Sequence, residues 1–381
     1  MNSALENSII KIHGSKIRLV IVVSGVGSQS INWLLSVPGA SKTVIEAHIP
    51  YANESLNHYI GEIPEQYVSE STAILMAKSA YFNGVKFHND FSDVIGVSCT
   101  GAISTDRQRK GENQAYIAIW SPKLKYVQHV SLNKGTRTRT EEEELISSLI
   151  IKSITEKALG ESKLQVALTE SESSTIESTE FTSTIDALVN NHIKSIALKG
   201  SEVIGLDHRF NGGILSGSFN PIHKGHIALA QLASKILKTP TAFEISVTNV
   251  DKDPLDAEEV DTRLSQFDRN EIVFLTSAPL FSEKSDIFNN STFIIGNDTA
   301  IRLIDPKYYN DSIELMYGSL QTIYSNGCDF LVAGRLQDSR FRTISDVTIP
   351  EKFISMFTEI PEEQFRMDLS STELRKNLTE S

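Results

Sequence analysis

Short apolar runs alternate with helical patterns over the first 160 residues. Residues 17–23, IRLVIVV, form an almost continuous apolar run, which is typical of a strand covered on both faces. The same pattern predicts a turn and helix after residue 23, a helix over 69–82 capped by Ser69 or Ser71, and a helix over 141–159. Further strands are predicted at 44–51, 94–101, 114–120 and 126–132. This alternation predicts an α/β domain.

The pattern changes at Thr169–Thr184, TESESSTIESTEFTST, which is almost entirely Ser, Thr and Glu. Such a segment cannot bury a core and predicts a linker, followed by a helical patch at Ile185–Leu198. From Ile214 onward strands are predicted again at 243–250, 271–277, 291–296 and 328–334, with helices between them. A parallel, doubly wound sheet follows. The expected organisation is a domain over 1–165, a linker over 166–210 and a second domain over 211–381.

Composition narrows the classes of function. The formal net charge of −12 over 381 residues argues against a nucleic-acid or anionic-membrane binder, although a local pocket can still be basic. Only two cysteines occur, Cys99 and Cys328, which fits a reducing compartment and excludes a cysteine-rich zinc site. No apolar run reaches the ~18 residues of a spanning helix, and the first residues lack a signal-peptide core. We therefore expect a cytoplasmic protein, with the nucleus left open.

The stretch GSFNPIHKGH, Gly217–His226, carries the clearest chemical signal. It joins an apolar run to a helical pattern, and ligands of open α/β sheets collect where strands end and helix N-termini point amides at anions. His223 and His226 lie three residues apart, so both would project toward one point. Imidazoles beside phosphate oxygens suit phosphoryl or nucleotidyl transfer. A zinc site would need a third ligand that nothing nearby supplies, and the remaining alternative is a plain helix start.

These residues resemble the T/HxGH motif of the nucleotidylyltransferase superfamily, in the GxFxPxHxGH form typical of nicotinamide/nicotinate mononucleotide adenylyltransferases. The family's ISSTxxR motif is matched by Leu369–Arg375, LSSTELR, which alone would predict only a helix capping box. The Gly-x-Asp element after a strand is matched by Gly296–Asp298. The three motifs occur in the family's order, which makes the resemblance specific.

The resemblance implies a role for each matching residue. His223 and His226 would hold the ATP phosphates, and Arg375 would clamp them. The remaining matches would contact the nucleotide: Gly217, Ser218, Phe219, Gly225, Gly296, Asp298, Ser370, Ser371 and Thr372. Phe219 would act through its backbone, Asp298 would fix the nucleoside end, and Mg²⁺ would arrive with ATP and need no site of its own.

The acceptor side departs from the family pattern. Relatives carry a tryptophan soon after the Gly-x-Asp element, whereas the tryptophans here are Trp33 and Trp120. Tyr308 or Tyr309 would have to replace it. Arg263 stands where relatives have an arginine after the second strand. The phosphorylated acceptor expected from the resemblance is a pyridine mononucleotide; another acceptor, CTP in place of ATP, or a catalytically weak nucleotide sensor or scaffold are the alternatives.

Residues 15–160 resemble the CinA C-terminal family, which includes nicotinamide-nucleotide amidohydrolases, through SVPGASKTVIEAHIPYANESL and VSESTAILMA. That fold is α/β/α, and its members often self-associate, which implies a homo-oligomer. Where the amidases have ESCTGG this chain has VSGVGS, and where they have YSNxxK it has YANESL. A serine without its lysine is a poor nucleophile, so we expect amidase activity to be lost. The positions left as ligand candidates are Ser24, Gly27, Tyr51 and Asn53.

Overall fold

The computed structural model describes residues 2–88, 91–106, 110–160, 162–248, 253–337 and 340–366. The chain divides into two compact units, Met1–Thr184 and Ile185–Ser381. Each unit is built on its own mixed sheet with helices packed against it, so the predicted α/β class with two domains is confirmed. In the described part of the chain no helix combines the length and apolar character needed to cross a membrane.

The N-terminal unit contains a six-stranded sheet in the order β2-β1-β3-β4-β5-β6. The first three strands along the chain are parallel and the others antiparallel. The strands are β1 (Arg18–Ser24), β2 (Val44–His48), β3 (Val94–Ala102), β4 (Asn113–Ser121), β5 (Leu124–Leu132) and β6 (Ser173–Glu180). The helices are α1 (Ser3–Gly14), α2 (Ser28–Ser36), α3 (Asn53–Ile60), α4 (Glu70–Gly84) and α5 (Arg139–Leu159), with a 3₁₀ turn at Ala40–Lys42.

Strand β1 shows why this unit has three layers. Its apolar side chains alternate between two cores, because successive residues of a strand point to opposite faces. Leu19, Ile21 and Val23 join a cluster with residues of α1, α2 and α5. Val20 and Val22 join a second cluster with residues of α3 and α4. The predicted α/β/α arrangement is therefore confirmed.

The predicted linker is wrong for residues 173–180. This segment forms the edge strand β6, which pairs antiparallel with β5 from Ser131↔Ser173 to Leu124↔Glu180. Every residue of β6 is exposed, so backbone hydrogen bonds and polar contacts hold it in place. One such contact is the hydrogen bond from Gln128 Nε2 to Ser174 Oγ, at 2.8 Å. An edge strand needs no buried face, which is why a Ser/Thr/Glu composition is compatible with it.

The C-terminal unit contains an eight-stranded sheet in the order β16-β13-β12-β9-β10-β11-β7-β8 and a two-stranded ribbon, β14-β15. Its strands are β7 (Ser195–Lys199), β8 (Glu202–Leu206), β9 (Gly213–Ser216), β10 (Thr241–Ser246), β11 (Ile272–Thr276), β12 (Thr292–Gly296), β13 (Asp329–Ala333), β14 (Arg335–Gln337), β15 (Arg340–Arg342) and β16 (Phe357–Ile360). Its helices are α6 (Thr184–Val189), α7 (Lys224–Leu237), α8 (Ala257–Leu264), α9 (Phe281–Ile287), α10 (Asn297–Leu303) and α11 (Ile313–Ser325). Short 3₁₀ helices occupy Pro306–Tyr309, Ile344–Asp346 and Glu351–Met356.

In the main sheet the strands from β9 to β16 are parallel and follow the doubly wound order. The chain first adds β10 and β11 on one side of β9, and then adds β12, β13 and β16 on the other side. Helix α7 packs on β9 and β10, while Ile214, Phe293 and Leu320 belong to a core shared with α10 and α11. Helices therefore cover both faces. The predicted doubly wound sheet is confirmed, and its topological switch point lies between β9 and β12, where such folds bind ligands.

The helical patch predicted at 185–198 is only partly right. Helix α6 ends at Val189, and Ser195–Lys199 instead forms β7, which pairs antiparallel with β11 and with β8. Burial explains the difference. The sequence SIAL is buried along its whole length and lies between β11 and β8, so it packs as an inner strand of the sheet. The segment 166–210 is thus shared between the two sheets.

Candidate active site

The loop 217–222 leaves the carboxyl end of β9 and delivers His223 to the start of α7. His223 has extended backbone angles and is the N-cap of the helix. Its Nδ1 accepts a hydrogen bond from the backbone N–H of Gly225 at 3.1 Å. His226 Nδ1 accepts from the backbone N–H of His223 at 3.2 Å. Two imidazoles therefore form a capping box, a role usually filled by Ser or Thr with Glu.

The capping box fixes the tautomer of both rings. Since each Nδ1 accepts a backbone N–H, the single proton of each neutral ring lies on Nε2. The two rings stack with their centroids 3.7 Å apart. Both histidines are only half-buried, so each has solvent access. The helix start thus presents a matched pair of Nε2–H donors, which suits hydrogen bonding to phosphate oxygens.

Burial keeps this pair uncharged. Desolvation lowers the pKa of His226 to about 4, and the positive charge that His223 would carry lowers it further. Burial also lowers the pKa of His223. Neither ring can gain a proton on Nδ1 without losing its hydrogen bond from the backbone. At neutral pH both rings are therefore neutral donors.

The loop before the histidines is shaped around Phe219. Its ring is buried and lies edge-on to His226, with centroids 5.0 Å apart. A Cβ on Gly217 would approach this ring to 2.9 Å, so glycine is needed there. Gln266 holds the loop from outside, donating from Nε2 to the Phe219 carbonyl oxygen at 3.2 Å and accepting from the Ile222 N–H at 3.0 Å. The Phe219 ring thus supports the His226 ring through this edge-on contact.

The Gly-x-Asp element follows β12, the parallel neighbour of β9, so the two motifs meet at the switch point. Gly296 is the N-cap of α10 and has open space where a Cβ would stand. The half-exposed Asp298 forms an ion pair with Arg335. Its predicted role toward a nucleoside stays a prediction, as does that of Gly296. Ser370, Ser371, Thr372 and Arg375 lie outside the described residues.

An open pocket of about 690 Å³ lies at the carboxyl ends of β9, β10 and β11. Ser216, Gly217 and Ser218 form one wall of it. The other lining residues come from the ends of the neighbouring strands and from the following helices: Asn220, Glu244, Ser246, Val247, Thr248, Asp253, Leu255, Glu259, Arg263, Pro279, Phe281, Lys284 and Thr299. His223 lines a separate groove of about 450 Å³ with Gln231 and Gln266. Loop 217–222 therefore lies between the imidazoles and the pocket.

Arg263, which stands where relatives have an arginine, lines the 690 Å³ pocket. Its side chain donates to the Ser218 carbonyl oxygen at 3.3 Å and pairs with Glu259 at 3.5 Å. The aromatic side chain in the pocket is Phe281, which sequence reasoning missed. Tyr308 instead packs beside Arg302, and Tyr309 donates to the Leu303 carbonyl oxygen. Neither tyrosine lines the pocket, so neither replaces the missing tryptophan there.

Sequence reasoning also missed a buried ion pair, Glu244–Lys284, at 2.7 Å. The signal was available, because Glu244 interrupts the otherwise apolar strand FEIS and a buried carboxylate needs a partner. Across the described residues no group of three or more His, Cys, Asp or Glu side chains is placed to hold a metal ion.

The N-terminal candidates lie at the carboxyl ends of β1 and β2. Ser24 ends β1, and its hydroxyl donates to the Pro50 carbonyl oxygen at 3.1 Å. Tyr51 and Asn53 follow in the exposed turn into α3. The topology therefore brings Ser24 and this turn together. The Ser24 hydroxyl proton is directed at a carbonyl oxygen and not at a side-chain base.

Gly27 begins α2 with a φ of 100°. Its N–H donates to both carboxylate oxygens of Glu143, at 3.0 and 3.1 Å. Ser28 Oγ and the Gln29 N–H also donate to Glu143, at 3.0 and 2.9 Å. The donors that a helix start offers to an anionic ligand are thus occupied by an internal carboxylate. Glu143 belongs to the acidic run Glu141–Glu144 of α5.

Comparison with known proteins identifies the C-terminal unit. Residues 214–377 match the family described as cytidylyltransferase-like. This match supports a nucleotidyl-transfer function for the C-terminal unit, as its histidine motif predicted. No curated protein matches the chain.

Solved structures also match part of the chain. The competence/damage inducible protein CihA from Agrobacterium tumefaciens is 18% identical, covers 42% of this chain and 94% of its own, and has a TM-score of 0.32. A competence-damaged protein (CinA) superfamily protein from Enterobacter cloacae is 13% identical, with coverages of 40% and 90% and a TM-score of 0.34. A competence or damage-inducible protein from Enterobacter asburiae is 14% identical, with coverages of 41% and 99% and a TM-score of 0.35.

Proposed function

We propose that the C-terminal unit transfers the adenylyl group of ATP to a pyridine mononucleotide and releases pyrophosphate. The observation that carries the proposal is the pair of Nε2–H donors, His223 and His226, at a helix start beside the switch point of a nucleotidyltransferase fold. The fold accounts for nucleotidyl transfer. The GxFxPxHxGH form of the motif supports the pyridine mononucleotide as acceptor.

The reaction requires positioning rather than a protein nucleophile. An oxygen of the acceptor's phosphate attacks the α-phosphorus of ATP, the bond from that phosphorus to the bridging oxygen breaks, and its electron pair leaves with pyrophosphate. Negative charge grows on the α-phosphate oxygens. The Nε2–H groups of His223 and His226 stabilise that charge, and their orientation is fixed beforehand by the capping box. The buried ring of Phe219 packs edge-on against His226 and supports its orientation.

Mg²⁺ would enter with the triphosphate. Asp253 and Glu259 line the 690 Å³ pocket and offer carboxylate oxygens, the ligand type that this cation prefers. When bound, the cation neutralises triphosphate charge. Arg263 adds a fixed positive charge at the pocket wall for the acceptor phosphate.

A second candidate keeps the chemistry and changes the nucleotide. The family is described as cytidylyltransferase-like, which favours CTP with a phosphorylated alcohol. The two candidates are separated by measuring pyrophosphate release with ATP or CTP, crossed with both pyridine mononucleotides and a set of phosphorylated alcohols. Release with ATP and a pyridine mononucleotide supports the proposal. Release only with CTP supports the second candidate. Absence of pyrophosphate release with every combination contradicts both.

For the N-terminal unit we propose that amidase activity is lost. Ser24 donates to a carbonyl oxygen, and Leu56 stands where the resemblance requires lysine. Incubation of the protein with nicotinamide mononucleotide, without ATP, should release no ammonia above the buffer rate. Ammonia release that disappears in Ser24→Ala would overturn this proposal.

A further inference from the structure

The floor of the 690 Å³ pocket is formed by a charged pair that is removed from bulk water. Glu244 of β10 is 1% exposed and Lys284 of α9 is 4% exposed. Burying two charges is costly unless their hydrogen-bonding groups are satisfied. The chain nevertheless places this pair in the wall of a cavity, where apolar residues would have been less costly.

The hydrogen bonds of the pair are incomplete. Glu244 Oε1 accepts from Lys284 Nζ at 2.7 Å and from Thr276 Oγ1 at 2.6 Å. Within the described ranges, Oε2 has no hydrogen-bond partner. Lys284 Nζ donates to Glu244 and to the Ala278 carbonyl oxygen at 2.7 Å, which leaves one of its three N–H groups over. Each member of the pair therefore keeps one hydrogen-bonding group for a ligand, an acceptor on Glu244 and a donor on Lys284.

We infer that Glu244 and Lys284 recognise the carboxamide of the acceptor, which makes the site selective for an amide over the corresponding acid. A carboxamide presents N–H donors and a carbonyl acceptor on a single planar group, the complement of Glu244 Oε2 and the spare Lys284 N–H. Phe281 lines the same pocket and offers an aromatic face for the ring that bears the amide. This inference rests on the proposed function, and it assigns the acceptor as nicotinamide mononucleotide rather than nicotinate mononucleotide.

The acid is disfavoured by charge. A ligand carboxylate would place a second anion against Glu244 Oε2 in a poorly solvated wall, and like charges brought together at a buried site repel strongly. Lys284 cannot offset this, because it already neutralises Glu244. We expect kcat/KM for nicotinamide mononucleotide to exceed that for nicotinate mononucleotide by at least about 10-fold.

The test compares kcat/KM for the two mononucleotides, with saturating MgATP, in the full-length wild type, Glu244→Gln and Glu314→Gln. Glutamine keeps the shape of residue 244 and removes its charge, so the preference for the amide should fall by about 10-fold or more, mainly through a gain with the acid. Glu314 is exposed in the first turn of α11 and serves as the matched control, in which the preference should not change. Circular dichroism and thermal melting establish that each variant is folded.

The outcomes separate this inference from the proposed function. Equal kcat/KM for the two mononucleotides in the wild type, or a preference for the acid, overturns the inference and leaves the adenylyltransferase standing. A preference that survives in folded Glu244→Gln also overturns it. Turnover with neither mononucleotide overturns both. If Glu244→Gln does not fold, the wild-type preference alone decides.

Discussion

The two units each contain a strand, a glycine-bearing turn and a helix at the carboxyl edge of a parallel sheet segment, yet the two helix starts differ in chemistry. In the N-terminal unit, Glu143 accepts the hydrogen bonds of Gly27, Ser28 and Gln29 at the start of α2. In the C-terminal unit, His223 and His226 cap α7. One helix start is closed by an internal anion, whereas the other presents neutral donors outward.

This difference shows that a turn between strand and helix does not by itself make a ligand site. The identity of the capping group decides whether the donors stay available. An acidic cap consumes them and stabilises the fold. An imidazole cap satisfies one backbone N–H and still exposes a second nitrogen, so the same residue can serve structure and ligand together.

The largest expected effect comes from removing one imidazole. His226→Ala should lower the rate of pyrophosphate release by about 10²–10³-fold, because it removes a donor aimed at the transition state. Steady-state kinetics with ATP and the preferred acceptor would measure this. The control is Lys235→Ala, an exposed position in the last turn of the same helix, for which the rate should be unchanged. Wild-type turnover in folded His226→Ala would remove the histidines from the mechanism.

Glu143→Ala tests the start of α2 in the N-terminal unit, where an internal carboxylate accepts the hydrogen bonds. Loss of a carboxylate that accepts from three residues at the start of α2 should reduce the free energy of unfolding by about 2–3 kcal/mol. Nucleotidyl transfer should be unaffected. Denaturant titration against Glu144→Ala, its exposed neighbour on α5, isolates the cap. Equal stability of the two variants would show that Glu143 does not stabilise the helix start.

Alanine substitutions of Gly27 and Gly296, the N-cap residues of α2 and α10, should change the stability of the protein by different amounts. Gly27 has a φ of 100°, and a Cβ there would approach Ile150 to 2.7 Å. Gly27→Ala should therefore cost about 1–3 kcal/mol of stability. Gly296 has a negative φ and open space around it, so Gly296→Ala should stay within about 0.5 kcal/mol. Thermal unfolding of the two variants measures the contrast, and a reversed order would contradict it.

The smallest effect is a pH dependence of stability. Burial lowers the pKa of His226 in the folded protein to about 4 from its ordinary value of 6.5, so the unfolded chain binds its proton first as the pH falls. The stability that this histidine contributes is complete above pH 6.5 and is lost as the pH falls toward 4. Allowing for solvent screening, we expect a loss of about 1 kcal/mol by pH 5. Denaturant midpoints of the wild type and His226→Asn should converge as the pH is lowered, and parallel curves would contradict the shift.

Sequence patterns predicted the correct strand or helix wherever local composition and burial agreed. The apolar strand 17–23 and the helix capped by Ser69 are examples, since Ser69 Oγ accepts from the Thr72 N–H as expected. They failed where pairing alone decides the structure. Strand β6 has no buried residue, so nothing in its composition distinguishes it from a loop. In the site, the histidines were visible as a local motif, whereas Lys284 reaches Glu244 only through the fold, across 40 positions of sequence.

The central claim is that the histidine pair supports transfer of the α-phosphate of ATP. The most direct measurement is to incubate the wild type and His226→Ala with [α-³²P]ATP, Mg²⁺ and nicotinamide mononucleotide, and to separate the products. We expect the wild type to transfer the label to a dinucleotide and to release unlabelled pyrophosphate. The rate of dinucleotide formation should be about 10²–10³-fold lower with His226→Ala. Label that stays in ATP, or a dinucleotide formed equally well by folded His226→Ala, would contradict it.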